Sequence, residues 1–272
     1  MQVSVVMAGR NSNPALLKEA VDSVLNQTFQ DFEFIIIDDG SDEPLEPVIQ
    51  SISGDHRISV YRIAPSGLGA ALNYGIQRSH GELIARIDDD DVALPNRFEK
   101  QIDYLMKHPD VVCLGTQIHY RVNDKYYPHR LFPLNHSDIV QSLFGLHFVM
   151  AHTSIMFRRH EFDKIGGYRI SGGGQDLDLW LQLGTVGKLA NLDGYLMYYT
   201  LSDTGLSVVN PKKTEAYLYA LKSAQQKENY RKYHTVIDTS IRKLTTQKRY
   251  NQLIYFLRKV LILKVKMLGR KM

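Results

Sequence analysis

The sequence predicts an α/β fold in which a mostly parallel central sheet is flanked by helices. Over the first 120 residues, strand-like runs alternate with helical patterns of roughly 10–15 residues, an order typical of strand–helix–strand units. Runs such as "FEFIIID" are continuous in apolar residues instead of alternating with polar ones, as expected for strands covered on both faces. The chain reads as helical after residue 210, which adds a helical extension to this fold.

The elements of residues 1–120 follow from these patterns in order. A buried-strand run at 3–8 is followed by "PALLKEAVDSVLNQ" (14–27), whose apolar residues recur with a helical period after Pro14, a residue suited to a first turn. The pattern then predicts, in chain order, a strand at 32–38, a short helix at 44–53, a strand at 57–63, a loop leading into a helix at 67–79, a strand at 82–88, a helix at 94–108 and a strand at 110–120.

Residues 121–210 are less regular. They contain, in order, hairpin-like "KYYPHRLFP", a helix at 136–145, strand-like "TSIMF", a Gly-rich loop at 172–174 and helical "DLDLWLQL". We therefore predict a domain of residues 1–210, made of the halves 1–120 and 121–210, and a basic helical extension of residues 211–272.

Composition bounds the class of protein. The 272 residues are 44% hydrophobic and 23% charged, which is ordinary for a folded chain with a substantial core. The single cysteine, Cys113, lies in the apolar run "VVCLG" and is interpreted as core packing, so an internal disulfide is excluded and a reducing compartment fits. The N-terminus enters a strand-like run without a basic leader, and no apolar run approaches the ~20 residues that span a bilayer. We expect a cytoplasmic protein without a secretory signal.

The overall charge of +4 hides an asymmetry along the chain. Residues 211–272 hold 16 Lys and Arg against three acids, a net +13, which leaves −9 on residues 1–210. Residues 249–271 place apolar side chains in one helical stripe with basic residues opposite, a pattern typical of helices that lie on anionic membrane surfaces. A helix docked on the domain or at an oligomer contact is the alternative. The acidic body and the lack of a recognisable binding fold argue against nucleic acid as a partner.

Two acidic clusters fall directly after predicted strands, Asp38-Asp39 after "FEFIII" and Asp88–Asp91 after "ELIARI". In open α/β sheets, ligands bind outside the carboxyl ends of the strands. A single acid there can be a turn former or a helix cap, and for Asp91 or Asn96 alone that interpretation stays open. Four consecutive carboxylates repel one another, however, and capping needs only one acceptor. A divalent cation turns this repulsion into attraction, so the cluster predicts a metal site in which a diphosphate completes the coordination.

Several segments taken together resemble the family 2 glycosyltransferases of the GT-A fold, a group typified by bacterial polysaccharide and lipopolysaccharide enzymes. The segments that carry the resemblance are "VSVVMAGRN", "AVDSVLNQTFQDFEFIIIDDGS", "GLGAALNYGI", "GELIARIDDDDVALPNRFEKQIDYL", "HTSIMFRRHEFDKIGGY" and "QDLDLWLQL". The resemblance implies a GT-A fold with a Rossmann-like nucleotide-binding half in residues 1–120 and an acceptor-binding half in residues 121–210.

The resemblance also implies roles for individual positions. Asp88 and Asp90 match the family's DxD motif, whose first acid lies near the ribose and whose last acid binds the metal ion, Mn²⁺ or Mg²⁺. Asp90 is therefore the expected metal ligand, with Asp88 as a second ligand and Asp89 in the variable position. The other positions implied to contact the nucleotide sugar are Ala8, Gly9, Arg10, Asp39, Gly67 and Asn73.

Asp176 in "GQDLDLW" matches the acid that serves as the catalytic base in the family, where a Glu usually precedes it and Gln175 stands here. It would take the proton of the acceptor hydroxyl in a single in-line displacement that inverts the anomeric carbon. Asp178 is the alternative base, and a helix cap is the alternative role for Asp176. His152, Gln175 and Trp180 are candidate contacts to the diphosphate or the acceptor, with a structural histidine and a core tryptophan as alternatives.

The sequence departs from the family's pattern at three places. The family usually has Pro where Ala8 stands and an aromatic residue where Arg10 stands, which leaves the preferred base open. Many members also carry a His near "YTLSDTGLS", where Ser202 and Asp203 stand here. Uridine is the implied base of the donor, with thymidine as the alternative.

The resemblance therefore implies an inverting, metal-dependent enzyme that moves a sugar from a UDP-sugar to a glycan or lipid-linked acceptor at the inner face of the plasma membrane, for cell-surface polysaccharide. "GLGAAL" matches the dinucleotide fingerprint of dehydrogenases only in part, because Leu72 replaces the third Gly. A sugar-phosphate nucleotidylyltransferase normally opens on a Gly-rich, Arg-containing loop, which "VVMAGRNSNP" matches poorly. A non-catalytic nucleotide-binding scaffold is the remaining alternative, and the combination of Asp39, Asp88, Asp90 and Asp176 argues against it.

Overall fold

The computed structural model describes residues 3–122, 125–129, 131–201 and 213–246. The strands are β1 (Val3–Gly9), β2 (Phe32–Asp38), β3 (Ile58–Arg62), β4 (Leu83–Arg86), β5 (Val92–Ala93), β6 (Val111–Val122), β7 (Lys125–Pro128), β8 (Met156–Arg158) and β9 (Lys188–Thr200). The helices are α1 (Pro14–Leu25), α2 (Leu45–Ile52), α3 (Leu68–Arg78), α4 (Arg97–Lys107), α5 (His136–Phe144), α6 (Arg159–Lys164), α7 (Gln175–Val186), α8 (Lys213–Gln225) and α9 (His234–Thr246). Short 3₁₀ helices lie at His152–Ser154 and Glu228–Tyr233.

One central sheet joins the nine strands of the described residues in the order β3-β2-β1-β4-β8-β6-β9-β5, with β7 paired to β6. β1 is parallel to β2 and β4, β2 to β3, and β6 to β9, whereas the pairs that involve β5, β7 and β8 are antiparallel and short. The long ladders are parallel, so the predicted mostly parallel sheet is confirmed. Because β8 is antiparallel to both β4 and β6, the carboxyl ends of β6 and β9 point toward the same edge as that of β4.

Most predicted elements are confirmed, including the hairpin, in which β7 pairs with the end of β6. The predicted start of the helix at residue 94 is wrong. Leu94 precedes Pro95, a position that disfavours the helical backbone, so the helix begins only at Arg97 and Val92–Ala93 form a strand instead.

β9 was not predicted from the sequence. Its run "KLANLDGYLMYYT" contains Asp193 and Gly194, residue types that are depleted in strands. In the fold, β9 pairs with β6 over ten residue pairs with irregularities in register, so tertiary pairing stabilises a strand that local propensity does not predict.

Alternate residues of the parallel strands enter two apolar cores on opposite faces of the sheet. Val6 and Ile35 lie in one core, which α3, α5 and α7 cover, and Val5 and Phe34 lie in the other, which α1, α2 and α4 cover. The loops that follow β1, β2 and β4 therefore lie together at the edge of the sheet where these strands end.

The described part of the basic extension packs onto the domain. Leu221 of α8, Tyr230 of the 3₁₀ helix Glu228–Tyr233 and Ile237 of α9 are buried in the same core as α7. Residues 213–246 are therefore docked helices, and the predicted stripe at 249–271 lies outside the described residues. Within the described ranges, no helix combines the length and the apolar character needed to cross a bilayer.

Candidate active site

The carboxyl ends of β1, β2 and β4 meet at one edge of the sheet, where the sequence places the site. Gly9 ends β1, and a side chain at this position would collide with the Ser12 hydroxyl and come within 2.7 Å of Asp89 Oδ2. Only glycine therefore lets the first strand approach the acidic turn this closely. Ala8 before it is buried, whereas Arg10 after it is exposed.

Asp39 fixes the loop that precedes α3. Its Oδ1 accepts hydrogen bonds from the Ser66 N–H at 2.7 Å and the Ser66 hydroxyl at 2.9 Å, and its Oδ2 accepts from the Gly67 N–H at 2.9 Å. Gly67 has a φ of 89°, and a side chain there would lie 2.7 Å from the Ser171 carbonyl oxygen. The Gly69 N–H donates to that same carbonyl at 2.8 Å. Asp39 thus positions, through this loop, the segment that leads into α7.

The acidic turn, residues 88–91, connects β4 to β5. One carboxylate oxygen each of Asp88, Asp90 and Asp91 lie within 4.8 Å of one another. We call these three residues the acidic triad. Asp89, the fourth acid of the turn, accepts a hydrogen bond from the Ser12 hydroxyl instead. The structure thus brings together the predicted pair Asp88 and Asp90 and adds Asp91, which the sequence left open as a turn former.

The electrostatics of the triad fit a divalent cation. Burial and the charges of Asp88 and Asp89 raise the pKa of Asp90 to about 7. Burial and the charges of Asp90 and Asp88 raise the pKa of Asp91 well above its usual range. Asp91 Oδ2 is also buried with no hydrogen-bond partner among the described residues. Hard carboxylate oxygens grouped in this way are the ligands that Mg²⁺ and Mn²⁺ prefer, and an ion between them would offset their repulsion.

We expect the metal-free protein to lose stability as the pH rises toward 7. Folding raises the pKa of Asp90 from 3.8 to about 7, so the folded state holds an extra proton between these values, and the stabilisation it gives is lost as the pH rises through about 7. The test is the melting temperature in chelator at about pH 5.5 and about pH 8, with Asp90→Asn as the comparison. The melting temperature of Asp90→Asn should fall less between the two pH values than that of the wild type. An equal fall in both would contradict the assignment of this pH dependence to Asp90.

Arg86 supplies positive charge to the triad from inside the sheet. Its side chain is 2% exposed, and Nη1 donates to Asp88 Oδ2 at 2.5 Å while Nη2 donates to Asp88 Oδ1. Arg97, also fully buried, donates from Nη2 to the backbone carbonyls of Arg86 at 2.8 Å and Ile155 at 3.1 Å. Burial and the charge of Arg86 lower the pKa of Arg97 to about 9. These two arginines fix the end of β4 and the orientation of Asp88.

Replacing Arg86 with Met is expected to lower the free energy of unfolding by about 2–4 kcal/mol, because Asp88 then lies beside two carboxylates without its cation. Arg86→Lys keeps the charge but loses the bidentate geometry, so its loss should be smaller. Chemical denaturation measures both variants, alone and combined with Asp88→Asn. The double variant Arg86→Met with Asp88→Asn should regain part of the lost free energy of unfolding. If it regains none, the broken ion pair is not the cause of the loss.

The end of β9 donates hydrogen bonds to the acidic turn. Thr200, the last residue of β9, donates its N–H to Asp91 Oδ1 at 2.7 Å and its hydroxyl to the Asp90 carbonyl at 2.5 Å. The Thr153 hydroxyl accepts a hydrogen bond from the Asp88 N–H at 3.0 Å. Backbone and side chains from distant segments therefore hold the turn in one conformation.

Tyr168 and His152 form a buried polar pair. His152 Nε2 lies 2.7 Å from the Tyr168 hydroxyl. Burial is the main reason that the pKa of Tyr168 is raised, and the charge of Arg86 opposes this effect. Burial and the charge of Arg86 hold the pKa of His152 well below its usual range. His152 is thus a buried, neutral partner of Tyr168.

Asp176 lies in the first turn of α7, partly exposed. Gly174, with a φ of 88°, occupies the cap position, so the alternative that Asp176 is the helix cap is wrong. Asp176 Oδ1 accepts a hydrogen bond from the Leu177 N–H at 2.8 Å. Asp178 differs, because it is buried and ion-paired with Arg169, whose Nε lies 3.0 Å from Asp178 Oδ2. Of the two candidate bases, Asp176 is therefore the accessible one.

Of the remaining predicted site residues, Asn73 and Trp180 make contacts within the fold, whereas the side-chain oxygen of Gln175 has no partner in the described part of the chain. The Asn73 amide donates to the Tyr168 carbonyl at 2.8 Å and accepts from the Tyr168 N–H at 2.9 Å, which ties α3 to the segment before α7. Trp180 is buried, with its ring 6.3 Å from that of His152. Trp180 Nε1 and Gln175 Oε1 are buried atoms with no hydrogen-bond partner among the described residues.

Sequence reasoning missed three residues that shape this site, namely Arg86, Tyr168 and Thr200. Arg86 carries a local signal, because it lies two residues before Asp88 and side chains two apart on an extended chain point to the same face. Thr200 is 109 residues from Asp91 and carries no such signal. The contact of Tyr168 with His152 likewise depends on the fold.

Comparisons with known proteins bear on this geometry. The model of the family described as "Glycosyl transferase family 2" matches residues 4–166. The O-antigen biosynthesis glycosyltransferase WbnJ of Escherichia coli is 34% identical over 184 residues, which are 66% of this chain and 71% of that protein. The amylovoran biosynthesis glycosyltransferase AmsE of Erwinia amylovora is 32% identical over 227 residues, 80% of this chain and 84% of that protein.

Solved structures show the same fold. The crystal structure of Staphylococcus aureus TarS 1-349 in complex with UDP-GlcNAc aligns with a TM-score of 0.73 over 92% of this chain and 74% of that one, at 15% identity. This likeness confirms the predicted GT-A fold. Because the family model matches more than half of the chain and AmsE aligns along most of it, the chain belongs to glycosyltransferase family 2.

Proposed function

We propose that this family 2 glycosyltransferase is an inverting, metal-dependent enzyme that transfers a hexosyl or N-acetylhexosaminyl group from a UDP-sugar to a glycan or lipid-linked acceptor. The observation that carries the proposal is the acidic triad at the carboxyl end of β4, whose grouped carboxylate oxygens, including Asp91 Oδ2 without a partner in the described ranges, suit a divalent cation. WbnJ is named for O-antigen biosynthesis and AmsE for amylovoran biosynthesis, which supports cell-surface polysaccharide as the product. The complex of TarS with UDP-GlcNAc supports uridine as the base of the donor.

In this proposal, Asp90 and Asp91, with Asp88, hold Mn²⁺ or Mg²⁺. The ion would supply positive charge to the diphosphate as it leaves. Asp88 is held by Arg86 through both of its oxygens, so it contributes charge and orientation to the triad more than a free ligand oxygen. Asp91 therefore takes the place beside Asp90 that the sequence analysis assigned to Asp88.

The nucleotide would bind across the ends of β1 and β2. Gly9 and Ala8 form a close backbone approach to the acidic turn, and Asp39 holds the loop at Gly67. Arg10 is exposed beside them and is proposed to contact the base or a phosphate. Asp89 and Asn73 are engaged by Ser12 and Tyr168, so we propose that they shape this pocket and orient its loops.

Asp176 is the proposed general base. It takes the proton of the acceptor hydroxyl while the acceptor oxygen attacks the anomeric carbon and the nucleoside diphosphate leaves from the opposite side. Its partial exposure supports this role, whereas Asp178 is neutralised by Arg169. Gly173 and Gly174 have positive φ values of 67° and 88°, so the loop before Asp176 uses conformations that favour glycine and suits a loop that closes over substrate.

We propose further that the chain works at the inner face of the plasma membrane, through residues 247–272. The supporting observation is the excess of basic residues in the extension. Deleting 247–272 should release the protein from anionic vesicles, and unchanged binding would refute the proposal. The deletion must spare α9, because Ile237 is buried and the Ser240 hydroxyl donates to the Phe144 carbonyl at 2.6 Å.

A calorimetric screen of nucleoside diphosphate sugars, each with Mn²⁺, with Mg²⁺ and with chelator, tests the proposed function. A UDP-sugar that binds with metal and much more weakly in chelator is the expected result, followed by product analysis of the anomeric configuration. Equal affinity in chelator and in Mn²⁺ would rule out the metal–diphosphate role of the triad.

A further inference from the structure

A row of aromatic rings crosses the sheet where β6, β7 and β9 end. The rings of Tyr126 and Tyr198 are 4.1 Å apart, those of Tyr198 and His119 are 5.8 Å apart, and those of His119 and Tyr195 are 4.3 Å apart. We call these four residues the aromatic row. Its members come from three strands, so the row is a surface that the fold assembles and not a feature of one segment.

The aromatic row is accessible. Tyr126 is 47% exposed although it is one of the largest side chains of the hairpin, and the other three rings are partly exposed. Cross-strand aromatic pairs stabilise a sheet, and contacting rings that stay accessible, as Tyr126 does, are also typical of a recognition surface.

The aromatic row adjoins the acidic turn. Tyr126 of β7 lies opposite Arg121 of β6, which lies opposite Thr200 of β9. Thr200 in turn donates to Asp91 and to the Asp90 carbonyl. Tyr198 is two residues before Thr200, a separation of about 7 Å along a strand. A ligand on the row would therefore lie beside the acidic turn.

The chemistry of the aromatic row matches a carbohydrate. A pyranose ring presents one face of C–H groups, which packs on an aromatic ring, and hydroxyls at its edge, which need hydrogen-bond partners. The row supplies the rings and hydroxyls of Tyr126 and Tyr198, whereas the Tyr195 hydroxyl donates to the His129 carbonyl at 3.2 Å and His119 Nδ1 is buried. An aliphatic patch would lack such polar atoms, so the row suits a sugar better than a lipid chain.

We propose that the aromatic row binds the acceptor glycan, with Tyr126 stacking on a pyranose ring, in the subsite next to the acidic turn. This inference rests on the proposed function, since it assigns a surface to the acceptor of that reaction. It adds a substrate-binding surface on β7 and β9 that the sequence motifs do not contain.

The test is NMR of the protein labelled with ¹³C in its tyrosine rings, titrated with cellotetraose and chitotetraose as probes. Ring signals of Tyr126 and Tyr198 should shift and saturate with at least one probe. Tyr126→Ala should weaken the affinity about tenfold, Tyr126→Phe should change it by less than about threefold, and Tyr126→Leu should resemble Tyr126→Ala because it keeps apolar bulk without a ring. Tyr219→Ala, a ring of matched exposure at 49% on α8, is the control and should leave the affinity unchanged.

Three outcomes would overturn the inference. These are the absence of saturating shifts, equal shifts at Tyr219, and an equal affinity of Tyr126→Ala and wild type. The inference would also be overturned if neither probe bound and Tyr126→Ala lost binding to anionic vesicles, which would assign the row to a membrane. Loss of a dimer in Tyr126→Ala, again without probe binding, would assign the row to a second copy of the chain. Binding of UDP with Mn²⁺ is measured on the same variants. If the wild type and Tyr126→Ala both bind UDP with Mn²⁺ but no probe binds, the inference about the row is wrong and the proposed function stands. If the wild type itself does not bind UDP, the proposed function is wrong.

Discussion

Replacing Asp176 with Asn is expected to lower the rate of sugar transfer by about 1,000-fold, within the range for loss of a positioned general base. Asparagine keeps the size and the hydrogen bond to the Leu177 N–H, but it cannot take the proton of the acceptor hydroxyl. Donor binding should change by less than about twofold, because Asp176 acts on the acceptor. The measurements are product formation at saturating donor and calorimetry of UDP with Mn²⁺.

Asp178→Asn is the informative comparison for this prediction. It breaks the ion pair of a buried carboxylate with Arg169, so we expect it to lower the free energy of unfolding by about 1–3 kcal/mol. Asp193→Asn, on the exposed part of β9, should alter neither the rate of sugar transfer nor the free energy of unfolding. If Asp178→Asn abolished transfer with unchanged stability while Asp176→Asn stayed active, the base would have to be reassigned to Asp178.

Replacing Asp90 with Asn is expected to weaken the Mn²⁺-dependent binding of UDP by about 100-fold or more, which corresponds to about 3 kcal/mol. Its carboxylate shares the turn with two others and has a pKa raised to about 7 by burial and by Asp88 and Asp89. An amide removes the charge that attracts the cation. Calorimetry of UDP in Mn²⁺ and in chelator measures the effect, and in chelator the variant and the wild type should bind equally weakly.

Asp103→Asn is the matched control for this substitution, because its carboxylate is 62% exposed on α4. It should bind UDP with Mn²⁺ as the wild type does. The same experiment on Asp91→Asn tests the residue that the structure adds to the triad, and a loss comparable to that of Asp90→Asn is expected. Full UDP affinity in both variants would contradict the assignment of the triad as the metal site.

The candidate site was predictable from sequence where the chemistry is local. Four consecutive acids after an apolar run signal a cluster at the end of a strand, and the fold places three of them within 4.8 Å. Asp176 was assigned by resemblance, and the structure adds the observation that Asp178 is occupied by Arg169. Our proposal that Asp91 accompanies Asp90 at the metal could not come from the sequence, because it depends on where Arg86 and Thr200 donate.

The alternation of strands and helices, the apolar strands of the parallel half and the acidic turn are properties of short stretches of chain, and the sequence was sufficient for them. The pairing of β9 with β6 and the aromatic row join residues more than 70 positions apart, and Thr200 is 109 residues from Asp91, so only the fold brings them together. Local periodicity reports which face of an element is buried. It carries no information about which distant strand supplies the hydrogen bonds there, since that is set by pairing across the sheet.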